Sequence, residues 1–141
     1  MLNHRTMLTA CGAVLLGVLV TVSVKAWADD RHTTYVTINS PFALPGVALG
    51  PGSYVFELAD PQMSHSLVRV MSRDRSHVYL TAFTILVQRP AGAASDRVIT
   101  FAEVPNGITP PVKAWYPIGD SIGHQFIYPK NSRQLTGAPG N

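Results

Sequence analysis

The sequence predicts an all-β fold: a single antiparallel β-sandwich or small flattened β-barrel of about seven or eight strands, preceded by a signal-peptide helix. The first observation behind this prediction is a basic N-terminus followed by an uncharged apolar run, Met7–Val24. The second is a series of short segments rich in β-branched and aromatic residues, separated by Gly and Pro turns. The third is that several of these segments alternate with a period of two, as strands do.

The N-terminal segment has the three parts of a signal peptide. After the apolar run, Ala26 and Ala28 stand at the two positions where signal peptidase accepts only small side chains. Cleavage after Ala28 makes residues 1–28 the signal peptide, 29–129 the folded domain and 130–141 a flexible C-terminal tail. We therefore expect an exported protein, either periplasmic or extracellular.

The alternative is an uncleaved signal that anchors the chain in the inner membrane through residues 7–24. These 18 residues lie at the short end of what spans a bilayer. In this case the N-terminal segment is the chain's one membrane contact. A lipidation signal at Cys11 is disfavoured because few apolar residues precede this cysteine and a long apolar run follows it.

The expected mature part, residues 29–141, is long enough for one domain with its own core. Arg5 and Lys25 leave with the signal, so eleven basic side chains become nine against eight acidic ones, a net charge of +1. A charge this small, without a basic cluster, disfavours a nucleic-acid partner. The only cysteine also leaves, which excludes disulfides, thiol nucleophiles and cysteine zinc sites from the mature part.

The first half of the mature chain contains three clear strand patterns. Alternation in the first of them places Thr34, Val36 and Ile38 on one face. Pro45-Gly46 interrupts the apolar stretch Phe42–Leu49, because proline and glycine favour a turn. The strands are predicted at Thr33–Asn39, Tyr54–Leu58 and Leu67–Met71, with a polar loop at Ala59–Ser66 and a charged turn at Ser72–Ser76.

The second half contains the longest uninterrupted run, His77–Gln88. Its length and periodicity also allow a helix. Its β-branched and aromatic residues favour a long strand with room for a bulge, and no helix cap precedes it. The remaining strands are predicted at Arg97–Val104, Val112–Tyr116 and Gln125–Tyr128, with loops at Arg89–Asp96, Pro105–Pro111 and Pro117–His124.

Several pieces of the chain carry a resemblance to a group of short exported proteins. They are Pro41-Phe42, the proline-glycine turn and aromatic strand of Leu49–Phe56, the Val-Arg-Val strand at 68–70 and the closing Gly123–Pro129. Over most of Tyr35–Pro129 the chain resembles short exported all-β proteins of the acidobacterial hypothetical-protein type. The turn is also similar to one in carboxypeptidase-regulatory-like and transthyretin-like sandwich modules. Both resemblances imply a fold and export, and neither group supplies catalytic residues.

No residue pattern in the mature sequence predicts a catalytic or metal site. The four mature histidines, His32, His65, His77 and His124, are scattered over different elements, whereas zinc sites often pair histidines at close spacing. A Gly-x-Ser-x-Gly elbow is absent, and most acidic residues fall in turns. We therefore expect no cofactor and no enzymatic activity.

An aromatic group near the C-terminus is the candidate binding site. Trp115 and Tyr116 lie on one predicted strand and Phe126 and Tyr128 on the next, so a hairpin would set them side by side, with His124 at the rim. Exposed rings stack on sugars or anchor protein partners. Strict alternation places Tyr116 in the core and Trp115 outward. Core packing of all four rings is the competing interpretation.

These observations favour an exported, non-enzymatic structural or interaction module of the cell envelope or periplasm, with an envelope protein or a glycan as its partner. The alternative is a small-ligand or carbohydrate-binding module that uses the C-terminal aromatic group. A hydrolase is the third hypothesis. An interaction module requires an uncovered strand edge or a contiguous apolar patch, whereas a glycan module requires an exposed Trp115 ring.

Overall fold

A computed structural model describes residues 22–30 and 32–130, and this part folds into ten strands. The all-β prediction is confirmed. Residues 1–21 of the predicted signal peptide and residues 131–141 of the predicted tail lie outside the described residues. The strands are β1 (Val24–Asp30), β2 (Thr33–Ile38), β3 (Phe42–Leu44), β4 (Val47–Leu49), β5 (Gly52–Asp60), β6 (Ser64–Ser72), β7 (Val78–Gln88), β8 (Ile99–Phe101), β9 (Val112–Trp115) and β10 (Ile122–Phe126).

Eight of the strands form one nearly closed antiparallel sheet in the order β1-β2-β5-β6-β7-β10-β9-β8. β3 and β4 pair separately as a small hairpin. Short turns join most neighbours, which suits antiparallel pairing. β1 and β8 stand at the two ends of the order, so among the described strands each of them pairs along one edge only.

The core lies inside the curved sheet and is built by alternating residues. Thr34, Val36 and Ile38 of β2 are all buried, as the sequence predicts, and Phe56 of β5 is buried beside them. Burial of one large apolar side chain stabilises a fold by about 1.5–3 kcal/mol. The core therefore has to hold the domain together, since residues 22–130 contain no cysteine.

β7 is a long strand with a bulge, as predicted. Val70 of β6 pairs with Leu80 and Met71 pairs with Val78, so Tyr79 is an extra residue on β7. Up to Phe83 the strand pairs with β6, and from there onward it pairs with β10. A bulge of this kind bends a strand and increases its twist. β7 is thus the corner at which the two halves of the sheet meet.

β1 lies where the sequence predicts the end of the signal peptide. Val24 and Ala26 pack against the core, and Trp27 pairs with Tyr35 across the ladder. Val24 and Ala26 alternate with Lys25 and Trp27 as in a strand, but the apolar run before them conceals this pattern. The structure thus includes in the sheet a segment that the sequence analysis excluded from the fold.

The predicted loop Ala59–Ser66 is mostly strand. The β5–β6 ladder continues past a bulge to its last pair, Asp60 with Ser64, so the turn consists of only Pro61–Met63. The expectation of a long loop was wrong because polar residues on this ladder face solvent, where they do not interrupt pairing.

β8 is shorter than the predicted strand Arg97–Val104 and covers only Ile99–Phe101. Its neighbour β9 is preceded by Pro110 and Pro111. Pro111 still accepts a hydrogen bond from the Ala102 N–H at 2.9 Å, but proline has no N–H to donate in return, so regular pairing ends there.

The β3–β4 hairpin packs against the core and is tied to the segment before β9. Gly46 has φ 77°, the left-handed conformation that a tight hairpin turn requires. The buried Phe42 ring meets the Tyr54 ring edge-on at 5.1 Å between centroids. The Ala43 N–H donates to the Pro110 carbonyl at 3.0 Å.

The turn between β6 and β7 holds Arg75 in the left-handed region, at φ 62°. The Asp74 carboxylate accepts hydrogen bonds from the Ser72 and Ser76 hydroxyls and from the Ser76 N–H. These bonds lower the pKa of Asp74 to about 2. The Arg75 guanidinium reaches back to Glu57, 2.8 Å away.

We expect Arg75→Ala to destabilise the protein more than Arg75→Gly does, although both variants lose the ion pair. A left-handed conformation costs a residue with a Cβ atom about 1 kcal/mol more than it costs glycine. Urea unfolding of the two variants should therefore differ by about 1 kcal/mol in favour of glycine. Equal stabilities would mean that the turn relaxes to a negative φ without cost.

Candidate functional site

Trp115 lies in the core. Its ring is 0% exposed, stacks on the His124 ring at 5.1 Å between centroids and approaches Phe56 at 6.1 Å. Phe126, also buried, meets the same Phe56 ring at 6.4 Å. The predicted hairpin of β9 and β10 is present, but the prediction that Trp115 faces outward is wrong.

A bulge in β9 explains why strict alternation fails here. Thr100 of β8 pairs with Ala114, whereas the next residue, Phe101, pairs with Val112, so Lys113 is an extra residue in the ladder. An extra residue shifts the alternation of all side chains on one side of it. Val112 and Trp115 consequently share the inner face, whereas strict alternation would put them on opposite faces.

Tyr116 is buried, as predicted, but it packs on the outer face of the sheet. Its ring lies directly over the backbone of Gly123. The Arg89 guanidinium carbon lies over the same ring, 4.9 Å from its centroid. Arg89 in turn donates hydrogen bonds to the backbone carbonyls of Ala94, Arg97, Pro117 and Asp120. Tyr116 and Arg89 thus fix the loop after β7 against the sheet.

Tyr128 joins two parts of the fold that are distant in sequence. Its hydroxyl donates to the Val112 carbonyl and lies 3.3 Å from the Ala43 carbonyl. Burial raises the pKa of this phenol. The side chain therefore links the β3–β4 hairpin to β9. A ligand-binding role of the aromatic group remains a prediction, and the burial of its rings does not favour it.

His124 is 4% exposed and bonded inside the sheet. Its Nδ1 lies 3.3 Å from Thr84 Oγ1, and the Thr84 hydroxyl donates to the Ser66 carbonyl at 2.8 Å. The Thr84 oxygen is then free to accept, which assigns the proton of the neutral ring to Nδ1. Burial is the main cause that lowers the pKa of His124 to about 4. The expected rim position is not observed.

We expect the free energy of unfolding to fall by about 2 kcal/mol between pH 7 and pH 5 through His124. Unfolding restores the ordinary pKa near 6.5, so the unfolded state binds more protons than the folded state in this window. The free energy of unfolding therefore falls as the pH is lowered from 7 to 5. Asp120 opposes the lowered pKa, and His32 and His65 reinforce it. Urea unfolding at both pH values measures the effect, and His124→Gln should flatten it. A wild-type profile as flat as that of the variant would contradict the assignment.

Apolar side chains form a row on the outer face where β6, β7 and β10 meet. Phe83 is 64% exposed, and Ile85 and Ile127 are each 51% exposed. Phe83 pairs with Leu67 across β6 and β7. Phe126, the last residue of β10, pairs with Thr84, so Ile127 follows it on the side of β7 where Phe83 lies. We refer to Leu67, Phe83, Ile85 and Ile127 as the outer apolar patch.

Core packing does not account for the outer apolar patch, because its side chains point away from the core. A strand with one face in solvent normally carries polar residues on that face. The run His77–Gln88 is apolar on both faces, a pattern typical of strands that are covered on both sides. This signal could have revealed the patch, but the sequence analysis followed the larger aromatic rings of β9 and β10.

Other kinds of site find little support in the described part of the chain. Within residues 22–30 and 32–130, no three His, Cys, Asp or Glu side chains are grouped so that they could hold a metal ion. The same residues include no helix long and apolar enough to cross a membrane. Comparison of the chain with protein-family models, with curated proteins and with solved structures finds no match.

Proposed function

We propose that the chain is an exported, non-enzymatic interaction module of the cell envelope or periplasm, which binds a protein partner through the outer apolar patch. The exposure of Phe83, Ile85 and Ile127 on adjoining strands is the observation that carries this proposal. Clusters of exposed apolar side chains mark interaction surfaces. Covering one such side chain in an interface contributes up to about 1.5–3 kcal/mol.

The chemistry of the patch suits a protein better than a glycan. Three of its four side chains are aliphatic and offer no ring face to a sugar. Gln125, which pairs with Ile85, places an uncharged polar group beside the row. Interface centres are depleted of charge in this way. The carbohydrate-binding alternative depends on Trp115, whose burial leaves it without a surface for stacking.

The proposal is tested by a photo-crosslinking residue at position 85 of the full chain, produced in cells that export it. We expect a discrete crosslinked species that Phe83→Ser removes. Phe83 is well exposed, so this substitution should change stability by only about 0.5 kcal/mol. The matched control places the same residue at Lys113, an exposed position on β9, where we expect no such species.

Equal crosslinking at both positions, or none at position 85, would contradict the proposed partner. Retention of the chain in the cytoplasm would contradict export instead. The two parts of the proposal therefore fail by different observations.

A further inference from the structure

The predicted cleavage site lies inside a strand of the sheet. β1 pairs with β2 from Val24 opposite Ile38 to Ala28 opposite Thr34. Cleavage after Ala28 removes this whole stretch of the ladder. β2 then becomes an edge strand, with backbone N–H and C=O groups that have lost their partners.

Removal of β1 also uncovers apolar surface. Val24 and Ala26 pack against the core beside Val36 and Ile38, which are 0% and 1% exposed while β1 is present. Apolar side chains of this size that become exposed to water favour renewed coverage. An open ladder and newly exposed core residues would thus occur together on β2.

The opposite wall of the opening is β8, the other end of the sheet. Val22 and Val24 already face Ile99 and Phe101 across a cleft of about 620 Å³. Without the β1 residues this cleft widens into a groove between β2 and β8. Among the described strands β8 pairs only with β9, so within this part of the chain both walls of the groove present an unpaired edge.

We propose that the processed protein accepts in this groove an extended segment of a partner polypeptide, which adds to β2 as an antiparallel strand. The proposal rests on the export in the proposed function and on the predicted cleavage after Ala28, and it concerns a surface separate from the outer apolar patch. Strand addition of this kind takes affinity from main-chain hydrogen bonds and specificity from alternate side chains.

The segment that occupies the site before cleavage indicates the chemistry of the partner. Inward positions hold side chains of the size of Val24 and Ala26. The next position after Ala26 faces outward and holds an aromatic ring. This ring belongs to Trp27, which stacks on the Tyr35 ring with 5.3 Å between the centroids and 6° between the planes. The Arg73 guanidinium carbon lies 5.0 Å from the centre of the Trp27 ring, which adds a cation–π contact.

A second copy of the folded domain fits the groove less well than a free segment. β2 of any folded copy carries β5 along its other edge, and β5 would then have to enter the space between β2 and β8. A free extended segment brings no further strand into the groove. The occupant is therefore a flexible stretch of polypeptide with small apolar residues at alternate positions and one outward aromatic.

The ladder also predicts which positions of the segment are bonded to β2. The Asn39 N–H donates to the Ser23 carbonyl at 3.2 Å, which makes this a hydrogen-bonded pair. Such pairs alternate along an antiparallel ladder. Lys25 and Trp27 are then the next bonded positions, whereas the N–H of Ala28 points away from β2.

The test uses the full chain, exported and purified from the periplasm, with its N-terminus sequenced. We expect it to begin at Asp29 and to bind a fluorescent peptide of residues 22–30 in a saturable anisotropy titration. Lys25→Pro in the peptide should weaken binding at least about tenfold, because proline cannot donate to the ladder. The matched peptide Ala28→Pro should bind within about threefold of the parent, because that N–H is not bonded to β2.

Ala28→Gln in the protein provides the intramolecular control. The larger side chain blocks processing but is tolerated by the fold, because Ala28 is exposed. This variant keeps β1 in place and should not bind the peptide.

Three results would overturn the proposal. They are a processed N-terminus at or before Val24, equal binding of the two proline peptides, and a processed dimer that does not bind the peptide. None of these results affects crosslinking at position 85, and an unprocessed cytoplasmic chain would instead contradict the proposed export.

Discussion

Replacing Gly123 by alanine should destabilise the fold by about 3 kcal/mol. A Cβ atom at this position would overlap the Cδ1 and Cε1 atoms of the Tyr116 ring. The ring cannot move away freely because it is 6% exposed and Arg89 covers it from outside. Interiors packed this densely transmit such an overlap as strain. Urea unfolding measures the loss, with circular dichroism as the signal.

Two controls isolate the contact between Gly123 and Tyr116. In a Tyr116→Ala background the added methyl group has room, so Gly123→Ala should cost at least about 2 kcal/mol less than in the wild type. Gly50→Ala adds the same methyl group where no described residue other than its chain neighbours has an atom within 4 Å, and it should change stability by less than about 0.5 kcal/mol. Similar losses at positions 123 and 50 would show that the ring does not confine the backbone.

Trp115→Ala should cost about 4–5 kcal/mol. The ring is fully buried between His124 and Phe56, and removal of its atoms leaves a cavity that the surrounding strands cannot fill. The whole stability of a domain is about 5–15 kcal/mol, so this single change threatens cooperative folding. Loss of a sigmoidal urea transition and of the near-ultraviolet circular dichroism would report it.

Trp115→Phe is the control for this prediction. Within residues 22–30 and 32–130 the buried Nε1 of Trp115 has no hydrogen-bond partner, and an unpaired buried donor costs about 1–3 kcal/mol. Phenylalanine keeps much of the volume and removes this donor, so the variant should lose less than about 1.5 kcal/mol. A loss equal to that of the alanine variant would mean that the ring fills no confined space.

Fluorescence gives an independent measure of the same burial. Trp27 leaves with the predicted signal peptide, so Trp115 is the only tryptophan of the mature part. We expect blue-shifted emission that iodide quenches poorly. A red-shifted and readily quenched signal from folded protein would show that Trp115 is exposed to solvent, and it would support the carbohydrate-binding alternative.

The strands that the sequence predicts well are those whose pattern is local. Thr34, Val36 and Ile38 alternate without interruption, and β2 forms where this alternation lies. His77–Gln88 combines strand-forming residues over a long run, and β7 forms there with its bulge. In both cases the preference of each residue agrees with that of its neighbours, so no distant contact is needed to decide the conformation.

The candidate site was harder to predict because single residues decide it. The extra residue Lys113 turns Trp115 inward, and nothing near it in sequence marks the bulge, which depends on pairing with β8. Position 123 requires glycine because the Tyr116 ring, seven positions earlier in the chain, packs directly against its backbone. His124 receives its partner from Thr84, 40 residues away, when β10 joins β7.

The sequence alone determined the all-β class, most strand positions and the turn chemistry. These features follow from the period-two alternation and from the restricted backbones of glycine and proline, which act over a few residues. Only the tertiary structure decided the order of strands, the inward direction of Trp115, the exposure of the outer apolar patch and the pairing of β1 within the sheet. Those features depend on contacts such as that of the Tyr128 hydroxyl with Ala43, 85 residues apart, which exist only once the ladders have formed and the core has closed.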